Sequence, residues 1–482
     1  MIAVFDIGTS AIKGIVLDGT QAVVYSAKKE IRTIRDQQFI EQDPNEWYKA
    51  FCSMLKEYQE KTGSIKEIGS VIMSGHMQDV ICVDQQGDAV RNAIMYNDQR
   101  GASHLHLIAD VIAQKTSVEM NGTIPLPKLL WMQEHERGVL DRTHKVLNSA
   151  KDYIIGKLTG RFVSDVTSLS TSGMLDIRER TYVQEVKSLG IDHALLPDIC
   201  YADEVVGLVL PKASEQTLLS ENVKVYAGCG DAGSTTLASG IINSGELNIN
   251  LGTSGWVAAI SLAPRQGVFN LVAINRGMYI NVIPVLNAAS VHKWIATLIF
   301  PDDPKKYDRL HDLLAQSGDT RTELFCLPYL AGERFPVADT SIRGSFIGLD
   351  GSTTSRDMAL SALEGVAFSL KQGFEKLEVV PSKISLIGGG AEESVWNQIF
   401  ANVFDTPITV FSDSEYLPSI ALAAAVLLHE GKISSYQDCI DSLLTRQGCT
   451  TFIPKPESAV YYRAAYEQFK LIYPATKALF AT

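Results

Sequence analysis

What the chain lacks narrows its class first. Its seven cysteines, at positions 52, 82, 200, 229, 326, 439 and 449, include no C-x-x-C pair. Neither a zinc ribbon nor a disulfide framework is therefore indicated, and reduced, buried thiols are expected. No apolar run nears the roughly 18 residues of a membrane-spanning helix; the most apolar stretch, Ile420 to Leu428, is far shorter. Met1-Ile-Ala-Val-Phe5 meets Asp6 at once, without the basic start and longer apolar run of a signal peptide. Positive charge is not in excess: Lys and Arg total 43 against 55 Asp and Glu, a net charge of −12. Phosphate backbones are bound by clustered cations, so no nucleic-acid partner is expected. A cytoplasmic protein without membrane contact fits these absences. The P-loop consensus is missing too, since Gly156-Lys157 and Gly431-Lys432 lack both the following Ser/Thr and the upstream Gly.

What is present is an ordinary globular composition in 482 residues, 46% hydrophobic and 20% charged. That length suits two large domains or about three smaller ones. Two apolar runs, Ile2–Phe5 and Ile12–Leu17, flank Asp6-Ile-Gly-Thr-Ser10 and predict a β-hairpin. Leu247–Leu251 and Trp256–Ile260 flank Gly252-Thr-Ser-Gly255 in the same way, 244 residues after Gly8. A repeat at half the chain length predicts two similar domains, with Ser239–Gly245 as the seam. Between the hairpins, Ile68–Met73 predicts a strand, and Lys128–Trp131 and Asp152–Leu158 predict helices. Later, Ala359, Leu363, Val366, Leu370, Phe374 and Leu377 predict one helix face, capped by Thr354 with Asp357. Ile384–Ile387 predicts a strand entering Gly388-Gly-Gly390, and Trp396, Ile399, Phe400 and Val403 predict a helix. Strands alternating with helices define an α/β class in each half.

The turns carry chemistry. Gly8 admits close backbone approach, Thr9 and Ser10 add hydroxyl donors, and Lys13 adds a cation, all suited to phosphate. Asp6 would repel phosphate unless Mg²⁺ lay between them. The second turn, with Gly252 and Thr253, offers similar groups. Gly228-Cys-Gly-Asp-Ala-Gly233 has the spacing of a dinucleotide fingerprint, but Asp231 projects where a pyrophosphate would lie, and Glu246 opens a strand instead of closing one. The glycines instead place Asp231 at a strand end, able to accept a proton from an attacking hydroxyl or to hold Mg²⁺. At Gly388–Ala391, small residues leave room for a flat ring. His104 and His106, two apart, point to different helix faces and make a poor metal pair.

These stretches together resemble the FGGY family of carbohydrate kinases, in the actin/hexokinase-like ATPase superfamily. Asp6–Lys13 resembles the first phosphate motif, Asn248–Gly255 the second, and Gly388–Gln398 the adenosine motif. Gly344–Gly348, continued through Asp357-Met358 and Ser361–Glu364, resembles the C-terminal signature. Pro127–Trp131, Lys151–Tyr153 with Leu158–Gly160, Leu327–Arg334 and Met95–Arg100 resemble the xylulokinase branch, and gluconate kinases share much of this pattern. The resemblance implies two actin/hexokinase-like (ribonuclease H-like) domains, 1–242 and 243–482, with a cleft between them. It implies transfer of the γ-phosphoryl group of ATP to a small sugar, D-xylulose or a related ketose or polyol, with gluconate as the alternative. More distant alternatives are an NAD-dependent dehydrogenase and a catalytically silent sugar sensor.

By the same resemblance, Gly8, Thr9, Ser10, Lys13, Gly252 and Thr253 would hold the phosphates, and Gly389, Gly390, Ala391 and Ser394 the adenine. Asp6 and Asp231 would hold Mg²⁺, and Asp231 would also be the catalytic base. Met77, Gln78, Asn97 and Asp98 would hold the sugar. A homodimer is common among such relatives. Two places depart from the xylulokinase pattern. Ser74-Gly-His-Met-Gln-Asp79 stands where Ser-Gly-Gln-Met-His-Gly is usual, and Ala232 stands where Asn usually follows the catalytic Asp. A carboxylate at Asp79, if it faced the pocket, would disfavour an acidic substrate. A further departure, Pro418-Ser-Ile420, follows Glu415.

Overall fold

The computed structural model describes residues 1–36, 39–316, 322–411 and 416–480; Glu415 lies outside them. The chain divides into two compact units. One comprises Met1–Ala238, Leu262–Ile280 and Ser414–Leu443; the other comprises Ser239–Ser261, Asn281–Asp413 and Leu444–Thr482. The first crossing thus falls in the predicted seam. A single cut at 242/243 nevertheless leaves out two later segments that fold with the first unit.

The first unit is organised by a seven-stranded sheet. Its strands are β1 (Ile2–Ile7), β2 (Ala11–Leu17), β3 (Val23–Glu30), β4 (Ser70–Gly75), β5 (Val205–Leu208), β6 (Lys224–Tyr226) and β7 (Cys229–Gly230). The order is β5-β6-β4-β1-β2-β3, with β7 also paired to β4. The predicted hairpin is β1–β2, antiparallel, with Asp6 opposite Lys13. β4 then returns parallel to β1, with Asp6 beside Ser74. A parallel return needs a crossover, supplied by helix α1 (Pro44–Thr62). Asp43 caps α1 by accepting from the Asn45 N–H at 2.9 Å, Pro44 occupies its first turn, and Gly63 ends it at φ 69°. Its Trp47, Phe51, Met54, Leu55 and Tyr58 are buried in one core with Ala3, Phe5, Ile12 and Val16 of the hairpin. At roughly 1.5–3 kcal/mol for each large apolar side chain, this contact anchors the strand that carries Asp6. Helices α2 (Pro125–His135), α3 (Ala150–Thr159), α4 (Val166–Leu169) and α5 (Asp231–Ala238) complete the elements needed below.

The second unit repeats the plan. β8 (Glu246–Leu251) and β9 (Gly255–Ser261) form the antiparallel hairpin, and β11 (Lys383–Ile387) lies parallel to β8. With β10 (Tyr279–Val285), β12 (Ile408–Phe411) and β13 (Cys449–Phe452), the order is β10-β9-β8-β11-β12-β13. Helices α6 (Ala289–Ile299), α7 (Ser355–Glu375) and α8 (Ser394–Phe404) belong to this unit. The predicted Thr354/Asp357 capping box starts α7. The one-sided burial expected of α7 is not what is found: every residue from 359 to 370 is buried. Its polar members are satisfied inside, as where Glu364 accepts from the Tyr462 hydroxyl at 2.8 Å.

None of the seven cysteines is disulfide-bonded; six are buried as expected and Cys449 is exposed. Among the described residues no helix is long and apolar enough to cross a membrane.

Candidate active site

In the first unit, three adjacent strand ends collect the acidic residues. β7 pairs with β4 at Ser74 and Gly75, and Asp231 follows it directly as the first residue of α5. Asp6, near the end of β1, accepts from the Ser74 hydroxyl at 2.8 Å. The carboxyl ends of parallel strands are where open α/β sheets bind ligands. Asp231 accepts from the Ala232 N–H at 2.8 Å and its side chain still reaches solvent. Surrounding protein removes part of its hydration and Asp6 adds a like charge, which together push its pKa up to about 7 despite the opposing effect of His76.

The glycines before Asp231 serve packing. At Gly228, φ is +62° and an added Cβ would come within 1.8 Å of the Met73 carbonyl oxygen. At Gly230 it would meet the Met77 sulfur at 1.9 Å. The fingerprint spacing therefore lets a strand approach β4 and seats Met77 against the Asp231 loop. This agrees with rejecting a dinucleotide there.

The first phosphate turn is closed by the Gly8 N–H donating to the Ala11 carbonyl at 3.1 Å. Its carbonyls are tied down: Thr9 O accepts from Gln42 Nε2 at 2.7 Å, and Ser10 O accepts from the Ile31 N–H at 2.9 Å. Gln42 is fully buried and accepts from Trp47 Nε1 at 2.8 Å, so α1 positions the turn. Lys13 is half-buried on β2. Nothing in the sequence singled out Gln42, because the turn it holds, at Thr9, lies 33 residues away along the chain.

Met77 and Gln78 are half-buried, and Gln78 has φ +67°. Asn97 is half-buried with its Oδ1 lacking a hydrogen-bond partner, as an acceptor awaiting a ligand hydroxyl would be. Asp98 is different. It is fully buried; its two oxygens take Arg100 Nε at 2.9 Å and Nη2 at 2.8 Å, and Oδ2 also takes the Ile40 N–H at 2.7 Å. A carboxylate so engaged shapes the segment instead of meeting a sugar. Asp79 is likewise buried: Oδ2 lies 2.5 Å from His76 Nδ1, and Oδ1 accepts from the Tyr96 N–H at 3.0 Å. It does not face a pocket, so the expected repulsion of acidic substrates has no structural basis. Burial opposes charge on His76, but Asp79, reinforced by Asp231 and Asp6, raises its pKa.

A second buried group, Lys151 with Asp152 and Asp165, lies behind Asp231. Lys151 Nζ is 2.6 Å from Asp152 Oδ1 and 2.9 Å from Asp165 Oδ1. Asp165 Oδ2 accepts from the N–H groups of Thr167 (2.9 Å) and Ser168 (3.2 Å), capping α4, and from that of Gly230 at 3.4 Å. Removing the cation strands two buried carboxylates. Lys151→Met should therefore cost about 3–5 kcal/mol, read as a lower calorimetric unfolding temperature; an unchanged unfolding temperature would refute this role.

His104 and His106 do not share a partner atom. His106 Nδ1 is hydrogen-bonded to Ser103 O at 2.9 Å. His104 instead lies with Glu134 and His135, their ligand atoms within 4.8 Å of one another and the latter two exposed.

In the second unit the two stretches expected to bind the nucleotide meet. The hairpin turn Gly252-Thr253-Ser254 is held from below: Gly252 O accepts from the Ala289 N–H at 2.8 Å and Thr253 O from the Ser290 N–H at 3.1 Å, both at the start of α6. Gly252 N–H donates to Asn250 Oδ1 at 2.9 Å, and Thr253 is exposed. Gly388 has φ +93°, and a Cβ there would sit 2.8 Å from Leu251 O and 3.0 Å from Gly252 N. Gly388 thus lies directly on the Gly252–Thr253 turn. Gly389 opens onto free space, Ala391 is half-buried, and Ser394 is exposed at the start of α8. Gly390 is buried against Leu251 and Trp396, so it is a packing position more than a contact for a ring.

Each unit therefore holds one coherent set: acid and sugar candidates in the first, nucleotide candidates in the second, with a phosphate turn in both. The family model for the N-terminal domain of FGGY carbohydrate kinases matches residues 1–238, and that for the C-terminal domain matches residues 247–427. The chain belongs to the FGGY family of carbohydrate kinases, phosphotransferases with an alcohol acceptor that use ATP as donor. It is 27% identical to the xylulose kinase of Bacillus subtilis (strain 168), over 98% of this chain and 97% of that one. Among solved structures it is similar to a ligand-bound xylulose kinase from Lactobacillus acidophilus (TM-score 0.89, 25% identity, 100% of this chain and 99% of that one). It is also similar to a gluconate kinase from the same organism (TM-score 0.87, 25% identity, 99% of each chain).

Proposed function

We propose that the chain is an ATP-dependent kinase of a small neutral sugar, with D-xylulose as the first candidate acceptor. The observation that carries this reading is Asp231, solvent-accessible at a strand end, its pKa raised by crowding and by Asp6, and Met77 seated against its loop. The Asp231 carboxylate would take the proton of the attacking hydroxyl as that oxygen bonds the γ-phosphorus and ADP leaves. Met77, Gln78 and Asn97 would orient the sugar, and Gly8, Thr9, Ser10, Lys13, Gly252 and Thr253 the phosphates. Gly389, Ala391 and Ser394 would border the adenine.

Asp6 and Asp231 suit Mg²⁺ by their chemistry: both are hard carboxylate donors, and their mutual repulsion calls for a cation. When bound, the ion would neutralise charge on the phosphates.

The choice of a neutral sugar over gluconate rests on the cations touching the sugar segments. Lys128 is committed to the Gln78 and Met95 carbonyls, and Arg100 to Asp98 and Glu41. Both are buried, so neither is offered to a substrate carboxylate. Coupled ADP release should therefore be fastest with a ketopentose in a panel of ketopentoses, polyols, aldonates and ketohexoses. Turnover dominated by an aldonate would overturn the choice of sugar, and absence of turnover with every acceptor would overturn the kinase reading.

A further inference from the structure

Lys128 is a buried cation that the mechanism above does not use. It lies on α2, is fully buried, and donates from Nζ to Gln78 O at 3.1 Å and to Met95 O at 2.7 Å. Those carbonyls belong to the two separate segments that carry Met77–Gln78 and Asn97.

The backbone gives the lysine something to hold. Gln78 sits in the left-handed region at φ +67°, a conformation that a residue other than glycine keeps only when its surroundings impose it. The position of α2 is itself fixed: a Cβ on Gly101 would come within 2.8 Å of the Lys128 backbone nitrogen and of the Pro127 carbonyl carbon. The helix is thus in direct contact with the chain just after Asn97–Asp98. From that fixed base the four-carbon stem reaches across to both segments. Beside it, the Tyr96 N–H donates to Asp79 Oδ1 at 3.0 Å, and Val80 and Ile94 exchange backbone hydrogen bonds at 2.9 and 3.0 Å, but neither link reaches Gln78 itself.

The chemistry explains why the residue is a lysine. The Met95 carbonyl also accepts from the Asp98 N–H at 3.0 Å, so an apolar residue would take the ammonium donor from both carbonyls and leave the Gln78 carbonyl without the bond that ties it to Met95. One ammonium can serve both from a single stem. Burial pushes its pKa down to about 7, against the favourable charges of Asp79 and Asp98. Such a group is costly to keep in a core, and its place behind the sugar segments is consistent with a functional return on that cost.

We infer that Lys128 is a positioning residue of the acceptor site, clamping the Met77–Gln78 and Met95–Asn97 segments in the register that receives the sugar. The inference rests on the kinase reading and on the placing of Met77, Gln78 and Asn97 at the sugar. Its test compares Lys128→Met with the wild-type chain, on whichever acceptor the ADP-release panel finds best. The sugar KM should rise roughly tenfold, the size of effect expected when a buried hydrogen bond is lost. The ATP KM, kcat at saturating sugar and sugar-independent ATP hydrolysis should stay within about threefold, because the nucleotide motifs and Asp231 are untouched. An unchanged sugar KM overturns the inference. So does an equal loss in the sugar and ATP constants, which is what a general structural role gives. If the methionine chain does not fold, Lys128→Arg is measured instead. Its longer, planar donor displaces both carbonyls, and the sugar KM should again rise alone; an unchanged sugar KM in that variant overturns the inference. Failure of the kinase reading is seen separately, in the wild-type panel, and the binding arm still decides on Lys128: calorimetric titration with D-xylulose should weaken in the variant and ATP titration should not.

Discussion

Asp231→Asn should lower kcat by about 10²–10⁴-fold, the usual contribution of a general base, while ATP binding by calorimetry stays close to wild type. The substitution keeps shape and removes only the ability to take a proton. ATP binding is spared because the substitution leaves the residues proposed for the nucleotide unchanged: Gly8–Lys13 in the same unit, and Gly252–Thr253 and Gly388–Ala391 in the other. Turnover within about threefold of wild type would remove Asp231 from the chemistry. The same residue sets a pH dependence. Its pKa in the free protein is raised to about 7, so below that pH the carboxyl is protonated and cannot act as base. The kcat/KM for the sugar should therefore climb with pH through about 7 and level off above it. The linkage has the opposite sense for stability. Between the ordinary aspartate range and about 7, the folded chain holds a proton that the unfolded chain has released, so the stability contributed by this group falls as pH rises through that window. An amide cannot ionise, so Asp231→Asn should unfold at no lower temperature than wild type at pH 8, even as it loses activity.

The two hairpins are legible because apolar runs flanking Gly-Thr-Ser turns are a local signal, and β1–β2 and β8–β9 form where that signal falls. Asp231 is legible because glycines crowd it at a strand end. The supports behind the site are not. Gln42, Lys128 and Lys151 are polar residues on or beside helices, where periodicity assigns polar residues to the solvent face. All three are fully buried, and two of them hold partners 33 to 50 residues away in the chain. Lys151 finds Asp165 by the same long-range folding. The long helix α7 fails for a related reason. Its serines and Glu364 read as an outer face, yet Tyr462, 98 residues later, and the Trp396 indole N–H, which donates to Leu363 O at 3.0 Å, satisfy the helix from inside. Asp98 and Asp79 show the converse: a carboxylate in a motif suggests a ligand, and only the buried partners reveal that both are already occupied.

Three neighbouring glycines make the sharpest remaining test, because the structure gives each a different reason to be glycine. Gly389 has no atom within 4 Å of where a Cβ would stand and no left-handed backbone to preserve. Gly389→Trp should therefore fold like wild type, yet its indole would occupy the space proposed for the adenine. ATP affinity should fall by about tenfold or more, with the sugar KM at saturating ATP little changed. Gly388 holds φ +93° with the Leu251 carbonyl 2.8 Å from its would-be Cβ. Gly388→Ala should consequently destabilise the second unit and weaken ATP only as a consequence. Gly390 faces Leu251 Cβ at 2.8 Å and the Trp396 ring at 2.9 Å, so enlarging it should disturb the seating of α8 in the same way. Unfolding temperature and ATP titration, measured on all three, separate the cases. If Gly389→Trp bound ATP as tightly as wild type, the adenine would lie elsewhere. If it unfolded early like Gly388→Ala, any loss of ATP would say nothing about contact. A stable protein that has lost ATP while keeping its sugar is the result that assigns the open glycine to the nucleotide.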